Sequence, residues 1–241
     1  PTRRSSDLLD KNDAVLLVLL DLSAAFDTVD HHILLKRLEQ RVGICDSALA
    51  WIKSYLSDRS PYVKLDCTAS KSHKLQYGVP QGSVLGPLLF IPYTLPLGGI
   101  VRRHGLSFHF YADDSQIYMS FKFVEPTDSN TAKIKMENCI REIRNWMLVN
   151  KLKLNDDKTE FLILYSRYAK ADVGIKSLTV GSEIVNSTKA AKNVGVLFDS
   201  TMSMEDHINA VCKTAHFVCI TCQGFVDTLP TMLVQPWFMH L

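Results

Sequence analysis

The chain lacks long hydrophobic runs and has little net charge. No apolar stretch reaches the roughly 18 residues of a membrane-spanning helix, so we expect no membrane partner. The apolar run at residues 15–20 is closed by Asp21 and is too short for a signal sequence. The formal net charge is only +2, so binding to nucleic acid must rely on local clusters of basic residues. With 46% hydrophobic residues, the 241-residue chain can bury the core of one large or two small domains.

A disulfide framework is absent as well. The six cysteines follow no such spacing, which fits a reducing compartment and predicts an intracellular protein of the cytoplasm and nucleus. Cys212, His216, Cys219 and Cys222 have spacings that could bind zinc. The surrounding sequence is typical of an amphipathic helix, and cysteine is a common buried residue. We therefore expect these cysteines to pack in the core rather than to bind a metal.

The sequence does contain two adjacent carboxylates, Asp113 and Asp114. They end the segment Tyr-Ala-Asp-Asp, between predicted strands at residues 107–111 and 116–121. Adjacent like charges raise each other's pKa unless a cation lies between them. Mg²⁺ binds through one or two carboxylates plus substrate phosphates, so the pair suits a metal site. The alternative is a solvated Asp-Asp turn.

A third carboxylate, Asp21, follows a continuous apolar run at residues 14–20. Such a run is typical of a strand buried on both faces. At the end of a central strand Asp21 could meet Asp113 and Asp114, and three converging carboxylates would suit two metal ions about 4 Å apart. The alternative for Asp21 is that it caps the helix that follows the end of the strand. We expect Asp30 to cap the next helix, while the role of Asp27 stays open.

A segment rich in glycine and proline, residues 76–90, lies between these two acidic sites. Glycines at positions 78, 82 and 86 let the backbone approach a flat ligand closely, and Pro80 fixes the turn that leads into a helix. The alternative is a plain loop before a helix.

The order of these segments resembles that of polymerase motifs A, B and C. They are Asp-Leu-Ser-Ala-Ala-Phe-Asp at 21–27, Gly-Val-Pro-Gln-Gly-Ser at 78–83 and Tyr-Ala-Asp-Asp at 111–114. Residues 146–160 resemble motif D, with Lys158 at its lysine, and residues 192–199 resemble the primer-grip hairpin of motif E. The chain thus resembles the reverse transcriptase of non-LTR (LINE-type) retrotransposons from about residue 14 to about residue 219.

The resemblance implies nucleotidyl transfer from deoxynucleoside triphosphates to a DNA primer on an RNA template. Asp21 and Asp113 would be the main ligands of Mg²⁺ (Mn²⁺ is possible), and Asp114 the weaker third. Lys158 would donate a proton to the leaving pyrophosphate or position a phosphate, unless it is only a solvated lysine in a turn.

Four further residues are implied to bind substrate. Phe26 would be a steric gate that selects deoxynucleotides, because an aromatic ring there would clash with a 2′-hydroxyl group. Gln81 and Gly82 would form the floor of the nucleotide and template pocket, and Tyr111 is the remaining substrate-binding residue.

The expected fold is α+β, a right-hand palm whose antiparallel sheet is backed by helices. We expect a palm with partial fingers at residues 1–202 and a truncated thumb-like helical segment at 203–241. Because most of the fingers that should precede motif A are missing, the alternative is a catalytically inactive fragment that retains at most weak nucleic-acid binding. Oligomeric state stays open.

Hydrophobic periodicity predicts the individual elements. Helices are expected at residues 31–41, 47–56, 84–90 and 128–149, with Pro92 kinking or ending the third. Besides those already given, strands are expected at residues 62–66 and 161–165, with hairpin strands between 177 and 198. Two helical faces are expected to pack in the core: Ala48, Trp51, Ile52, Tyr55 and Leu56 in the second helix, and Ala132, Met136, Ile140, Ile143 and Met147 in the last.

Overall fold

The computed structural model describes residues 13–60, 62–71, 74–122, 126–165 and 174–228. The strands are β1 (Asp13–Leu20), β2 (Lys64–Leu65), β3 (Thr68–Ala69), β4 (Ser107–Tyr111), β5 (Asp114–Lys122), β6 (Glu160–Leu164), β7 (Ser177–Val180), β8 (Glu183–Asn186), β9 (Ala190–Asn193) and β10 (Val196–Asp199). The helices are α1 (His31–Arg37), α2 (Asp46–Leu56), α3 (Leu85–Arg103), α4 (Pro126–Val149) and α5 (Glu205–Thr228). Antiparallel sheets and helices confirm the predicted α+β class.

The central sheet has four antiparallel strands in the order β4-β5-β1-β6. Strand β1 pairs with β5 on one side and β6 on the other. Leu16 and Val18 on one face are fully buried beneath the helices, while Leu17 and Leu19 on the other face pack toward Ala191 of β9. The continuous apolar run therefore forms a strand buried on both faces, as the sequence predicts.

Helix α4 packs on this sheet with the face that its sequence predicts. All five apolar positions are buried: Ala132, Met136, Ile140, Ile143 and Met147. Burial of large aliphatic side chains stabilises the fold by about 1.5–3 kcal/mol each. This stripe therefore fixes α4 against the strands that carry the acidic residues.

Helix α3 corrects one prediction. It continues through Pro92 and Pro96 instead of ending before Pro92. Both prolines are half-buried, and the residues that precede them, Ile91 and Leu95, are exposed. The opposite face is buried in the core along its whole length, and this packing outweighs the local cost of the prolines.

Among the described residues, α3 is also the helix that has the length and composition of a membrane span. Its glycines and prolines interrupt the apolar run, which is why the sequence count did not reveal it. Of the 18-residue window, 44% is buried within the protein. The core helix of a globular domain meets the same criteria, so length and composition alone do not define a membrane segment.

Helix α2 corrects a second prediction, because its expected core face is only partly buried. Leu56 is buried, and Leu49, Ile52 and Tyr55 pack partly against the core. Trp51, however, is 58% exposed. The helix contacts the core through the Leu49, Ile52 and Leu56 edge, so the rest of its apolar face points away from the sheet.

A buried polar network holds α1, α3 and the segment after α4 together. Arg37 donates hydrogen bonds to the carbonyl of Tyr93 and to Oδ1 of Asn150. The Tyr93 hydroxyl donates to the Asn150 carbonyl at 2.5 Å and accepts from the Asp30 backbone N–H at 3.3 Å. Asp30 also caps α1 as predicted, since its Oδ1 accepts from the Ile33 N–H at 3.0 Å.

Asp199 joins the β9–β10 hairpin to α5. Its two carboxylate oxygens accept hydrogen bonds from Thr201, Ser203 and the Met204 N–H, at 2.7–3.1 Å. Burial alone would raise the pKa of Asp199, but these hydrogen bonds outweigh it and hold that pKa well below its usual range.

Replacing Asp199 with Asn should therefore destabilise the protein in a pH-dependent way. The amide group turns a donor toward N–H and O–H donors, so we expect a loss of about 2 kcal/mol in the free energy of unfolding at pH 7. A depressed carboxyl pKa stabilises the fold above the unfolded value of about 3.9, and this contribution declines as the pH falls below about 5. Urea unfolding across this range should show the two proteins converging, whereas a constant difference would contradict the role of the charge.

Helix α5 corrects the expectation for the cysteines. Cys212 and Cys219 are exposed rather than packed in the core, and His216 is exposed beside them. Among the described residues, no group of three or more His, Cys, Asp or Glu side chains could hold a metal ion. The thumb-like segment expected at 203–241 is described only up to residue 228, and residues 1–12 also lie outside the described part.

Candidate active site

The register of the central sheet brings Asp21 beside Asp114. Leu20 pairs with Ser115 across β1 and β5, and Tyr111 pairs with Asp114 across β4 and β5. Asp21 and Asp114 line one cavity of about 420 Å³, which also contains Lys158. Ala112 in the turn has a φ of 54°, a left-handed conformation that costs a residue with a Cβ about 1 kcal/mol. Local strain of this kind is often found at functional sites.

The carboxylates of this cavity repel one another. The pKa of Asp114 is raised by burial, and further by the negative charges of Asp113 and Asp21, while Lys158 lowers it. Asp21 is held by two donors on one oxygen: Asn155 Nδ2 lies 3.1 Å and Lys158 Nζ 3.3 Å from Asp21 Oδ2. Bound cations would relieve this repulsion, as the sequence predicts for a metal site.

The three carboxylates do not all line one cavity. Asp21 and Asp114 line the acidic cavity, whereas Asp113 lines a separate cavity formed by residues of motifs A and B. Among the described residues, no group of three or more His, Cys, Asp or Glu side chains is arranged to hold a metal ion. Mg²⁺ is commonly bound by one or two carboxylates and completed by substrate phosphates, so an open arrangement is compatible with it.

The second cavity brings together residues that are distant in the sequence. Phe26, Gln81, Gly82 and Asp113 all line it, and its volume is about 530 Å³. The Phe26 ring rests against Phe90 of α3, with ring centroids 4.9 Å apart. The residues that are expected to form the sugar gate, the pocket floor and one metal ligand therefore line the same cavity.

The open question of Asp27 is answered by its contacts. Gln81 Nε2 donates to both carboxylate oxygens of Asp27 at 3.2 Å. The two segments also pair through backbone bonds, from the Gly78 N–H to the Val29 carbonyl and from the Val79 N–H to the Phe26 carbonyl, both 2.8 Å. Gly78 has a φ of +90°, and a Cβ there would lie 3.0 Å from the Asp27 carbonyl oxygen. Asp27 thus positions Gln81, and the glycine allows close approach of two backbones.

Lys158 lies in a 3-10 turn (Asp156–Lys158) that is fixed from two sides. Arg144 of α4 forms a bidentate ion pair with Asp156, at 2.6 and 2.7 Å. The Asn155 N–H donates to the Asp21 carbonyl at 2.9 Å. The Lys158 side chain is 70% exposed but its ammonium group faces Asp21, so it is part of the acidic site rather than only a solvated lysine.

Asn155 and Arg144 are positioning residues that sequence reasoning missed. Asn155 lies within the segment that resembles motif D, so its place in the motif was the available signal. No sequence signal indicated Arg144, because its contact with Asp156 depends on how α4 packs against the sheet.

Tyr111 lies apart from Phe26, Gln81 and Gly82, the other residues that are expected to bind substrate. It is 67% exposed and lines a largely apolar cavity of about 550 Å³ between the sheet and the β9–β10 hairpin. Asn193 borders both this cavity and the acidic one. Asn193 is only 7% exposed, and its Nδ2 has no hydrogen-bond partner among the described residues. Asn193 lies within residues 192–199, which resemble motif E, so its place in that segment was the available signal.

The unpaired amide of Asn193 should cost stability. A buried donor without a partner costs about 1–3 kcal/mol, and an apolar group of the same shape avoids that cost. Leu is close to Asn in shape, and the apolar cavity offers it Val15, Leu17 and Leu164 as neighbours. We expect Asn193→Leu to raise the free energy of unfolding by about 1 kcal/mol in chemical denaturation. A loss of stability would show that the amide is satisfied in solution.

The fold is similar to that of solved telomerases. The apo telomerase of Candida tropicalis superimposes with a TM-score of 0.56 and 16% identity, covering 83% of this chain and 37% of that one. Telomerase from Candida albicans superimposes with a TM-score of 0.52, covering 80% of this chain and 33% of the other. These likenesses show a shared fold, in which a central antiparallel sheet is backed by helices.

Sequence comparison specifies the class further. The family described as reverse transcriptase (RNA-dependent DNA polymerase) matches residues 2–209, and the chain belongs to this family. The RNA-directed DNA polymerase from mobile element jockey of Drosophila funebris is 25% identical over 211 residues, which are 85% of this chain and 22% of that protein. A probable RNA-directed DNA polymerase from transposon BS of Drosophila melanogaster is 25% identical over 223 residues, 89% of this chain and 23% of that protein. The chain thus spans less than a quarter of these relatives' length.

Proposed function

We propose that this chain is the RNA-directed DNA polymerase domain of a retrotransposon of the non-LTR type. The observation that carries the proposal is the position of Asp21 and Asp114 at the end of the central sheet, next to the cavity shared by Asp113, Phe26 and Gln81. Membership of the reverse transcriptase family and the names of the Drosophila relatives support it.

Mg²⁺, or Mn²⁺ in its place, is the proposed cofactor, and Asp21, Asp113 and Asp114 are its proposed ligands. The raised pKa of Asp114, with the charges of Asp21 and Asp113 among its causes, fits a site built for cations. When bound, such ions stabilise charge on the attacking and leaving oxygens of a phosphoryl transfer. The chain's own contribution is to hold the three carboxylates on β1 and on the β4–β5 hairpin.

The remaining site residues are proposed to bind and orient the substrates. Phe26 closes the sugar side of its cavity, and Gln81 and Gly82 form its floor. Lys158 Nζ lies next to Asp21, where it can hold a phosphate or donate a proton to the leaving pyrophosphate. Tyr111 faces the hairpin that resembles the primer grip, so we assign its contact to the primer side.

The proposed partners are an RNA template, a DNA primer and deoxynucleoside triphosphates. Residues 1–202 would act as the palm with partial fingers, and residues 203–241 as the beginning of a thumb. The second candidate function is a catalytically inactive relative that only binds nucleic acid. The separation of Asp113 from Asp21 and Asp114 into two cavities favours this alternative, because the carboxylates do not form a ready metal site.

Primer extension tests the proposal. Purified protein should extend a DNA primer on an RNA template with Mg²⁺ or Mn²⁺, and Asp113→Asn should remove this activity because it removes a ligand charge without changing side-chain size. Extension that Asp113→Asn leaves intact would come from another enzyme. Absence of extension, with retained RNA binding, would select the inactive alternative.

A further inference from the structure

Helix α2 and the residues after it carry a stack of three flat side chains, whose outer member Trp51 is exposed. The Trp51 and Tyr55 rings are nearly parallel, with an interplanar angle of 14° and centroids 5.8 Å apart. The guanidinium carbon of Arg59 lies 4.1 Å from the centroid of the Tyr55 ring. The three residues are four positions apart, so they follow one side of the helix and its C-terminal extension. We call Trp51, Tyr55 and Arg59 the stacking column.

The column is held in place from its inner end. Arg59 Nε donates to the Tyr55 carbonyl at 2.6 Å, and the Leu75 N–H donates to the Arg59 carbonyl at 2.8 Å. Tyr55 packs partly against the core, whereas Trp51 at the outer end is 58% exposed. The Trp51 ring thus packs against Tyr55 on one side and is open to solvent elsewhere, although burial of this ring would stabilise the fold.

The column leads to the residues of the proposed nucleotide pocket. Arg59 lines a cavity of about 730 Å³ together with Tyr77, Gly78 and Gln81. Gln81 also lines the cavity of Phe26. A strand that stacked on Trp51 and passed Arg59 would therefore reach the floor of the nucleotide pocket without leaving this surface.

The sequence interval that contains the column has an excess of positive charge, which suits a polyanion. Between positions 51 and 77 the chain has five basic residues, Lys53, Arg59, Lys64, Lys71 and Lys74. It has two acidic residues in the same interval, Asp58 and Asp66, and Asp58 is ion-paired with Lys74 at 2.7 Å. The net charge of the whole chain is only +2, so this interval has an excess of positive charge that the rest of the chain offsets.

We propose that the stacking column binds the unpaired bases of a single-stranded polynucleotide, with a base placed on the open side of Trp51. Exposed aromatic rings next to basic residues bind single strands by stacking, with little sequence preference. A duplex hides the faces of its bases, so the column should discriminate against it. Naming that strand as the RNA template upstream of the active site rests on the proposed function, but the stacking itself does not.

Fluorescence and binding measurements on the full chain test this inference. The probes are a single-stranded oligouridylate of about ten nucleotides and an RNA duplex of the same length. Trp51→Ala should weaken binding of the single strand about tenfold, and Trp51→Phe should retain most of it because a ring remains. The affinity for the duplex should be the same in the wild type and in both Trp51 variants. Ile134→Ala on α4 is the matched control, because Ile134 is also an exposed apolar residue on a helix.

Tryptophan emission gives an independent readout. The single strand should quench emission in the wild type, and Trp51→Phe should remove that quenching while Trp146 and Trp237 still emit. The inference would be overturned if wild type and Trp51→Ala bound the single strand with equal affinity. It would also be overturned if Trp51→Ala lost affinity for the single strand and for the duplex by the same factor. Lack of quenching would likewise overturn it and indicate that a protein segment covers Trp51.

The Asp113→Asn variant separates the two proposals. Its quenching by the single strand should equal that of the wild type, because Asp113 lies outside the column and its cavity. Quenching without primer extension would reject the proposed activity and keep the stacking site. Extension with unchanged binding by Trp51→Ala would reject the stacking site alone.

Discussion

Replacing Asp21 with Asn should lower RNA-templated nucleotide addition by about a thousandfold or more. Asp21 is the carboxylate at the end of β1, and its Oδ2 already accepts from Asn155 and Lys158. The substitution removes a proposed metal-ligand charge in a partly buried site, where charge stabilisation in the transition state contributes several kcal/mol. Steady-state addition of one deoxynucleotide, measured with wild type and variant, gives the ratio.

The fold should tolerate this substitution. Asp21 raises the pKa of Asp114, so removing its charge should move that pKa toward its ordinary value and relieve repulsion. Asp157→Asn is the matched control, because Asp157 lines the same cavity but is not among the charges that act on Asp114. If both variants lost activity equally, the general negative potential of the cavity would matter rather than ligation by Asp21.

If the proposed activity holds, replacing Phe26 with Ala should allow ribonucleotides to be incorporated. The ring rests on Phe90 and lines the cavity shared with Gln81 and Gly82, so its removal opens space where the 2′-hydroxyl group would lie. Steric discrimination in a pocket amounts to roughly 1–3 kcal/mol, so the preference for deoxynucleotides should fall about a hundredfold. The ratio of kcat/KM for a deoxynucleotide to that for the matching ribonucleotide measures it.

Phe26→Tyr is the control for this experiment, because it keeps the ring and should keep the discrimination. An unchanged ratio in Phe26→Ala would remove Phe26 from the gate role. A fall in both rates by the same factor would instead indicate that the ring only supports the packing of α3 through Phe90.

Local sequence patterns were sufficient for part of this fold. The apolar run of β1, the five buried positions of α4 and the cap at Asp30 follow from burial periodicity and from capping chemistry within a few residues. The order of the motif-like segments led to the family, which the comparison with known proteins confirms.

Other features depended on contacts between distant residues. Pro92 lies within α3 because the buried face of that helix outweighs a local helix-breaking residue. Trp51 is exposed although its periodicity predicts a core face, since only one edge of α2 reaches the core. Periodicity defines which side chains share a face, but it does not say whether another element covers that face.

The candidate site shows the same division. Residue types and motif order pointed to Asp21, Asp113 and Lys158. The sequence did not predict that Asp113 lines a different cavity from Asp21. The role of Asp27 became clear only when its contact with Gln81, 54 positions away, was known. This pair is set by the backbone contacts of Gly78 and Val79 with residues 26–29, which no local sequence pattern encodes.

The central claim is that Asp21, Asp113 and Asp114 together form a metal-dependent nucleotide site. Electron paramagnetic resonance of Mn²⁺, titrated with protein in the presence of a deoxynucleoside triphosphate, measures this most directly because it requires no turnover. We predict that wild-type protein binds Mn²⁺ and nucleotide together and that Asp21→Asn and Asp113→Asn each weaken this binding at least tenfold, as loss of a charged ligand requires. Equal binding by wild type and both variants would contradict the claim.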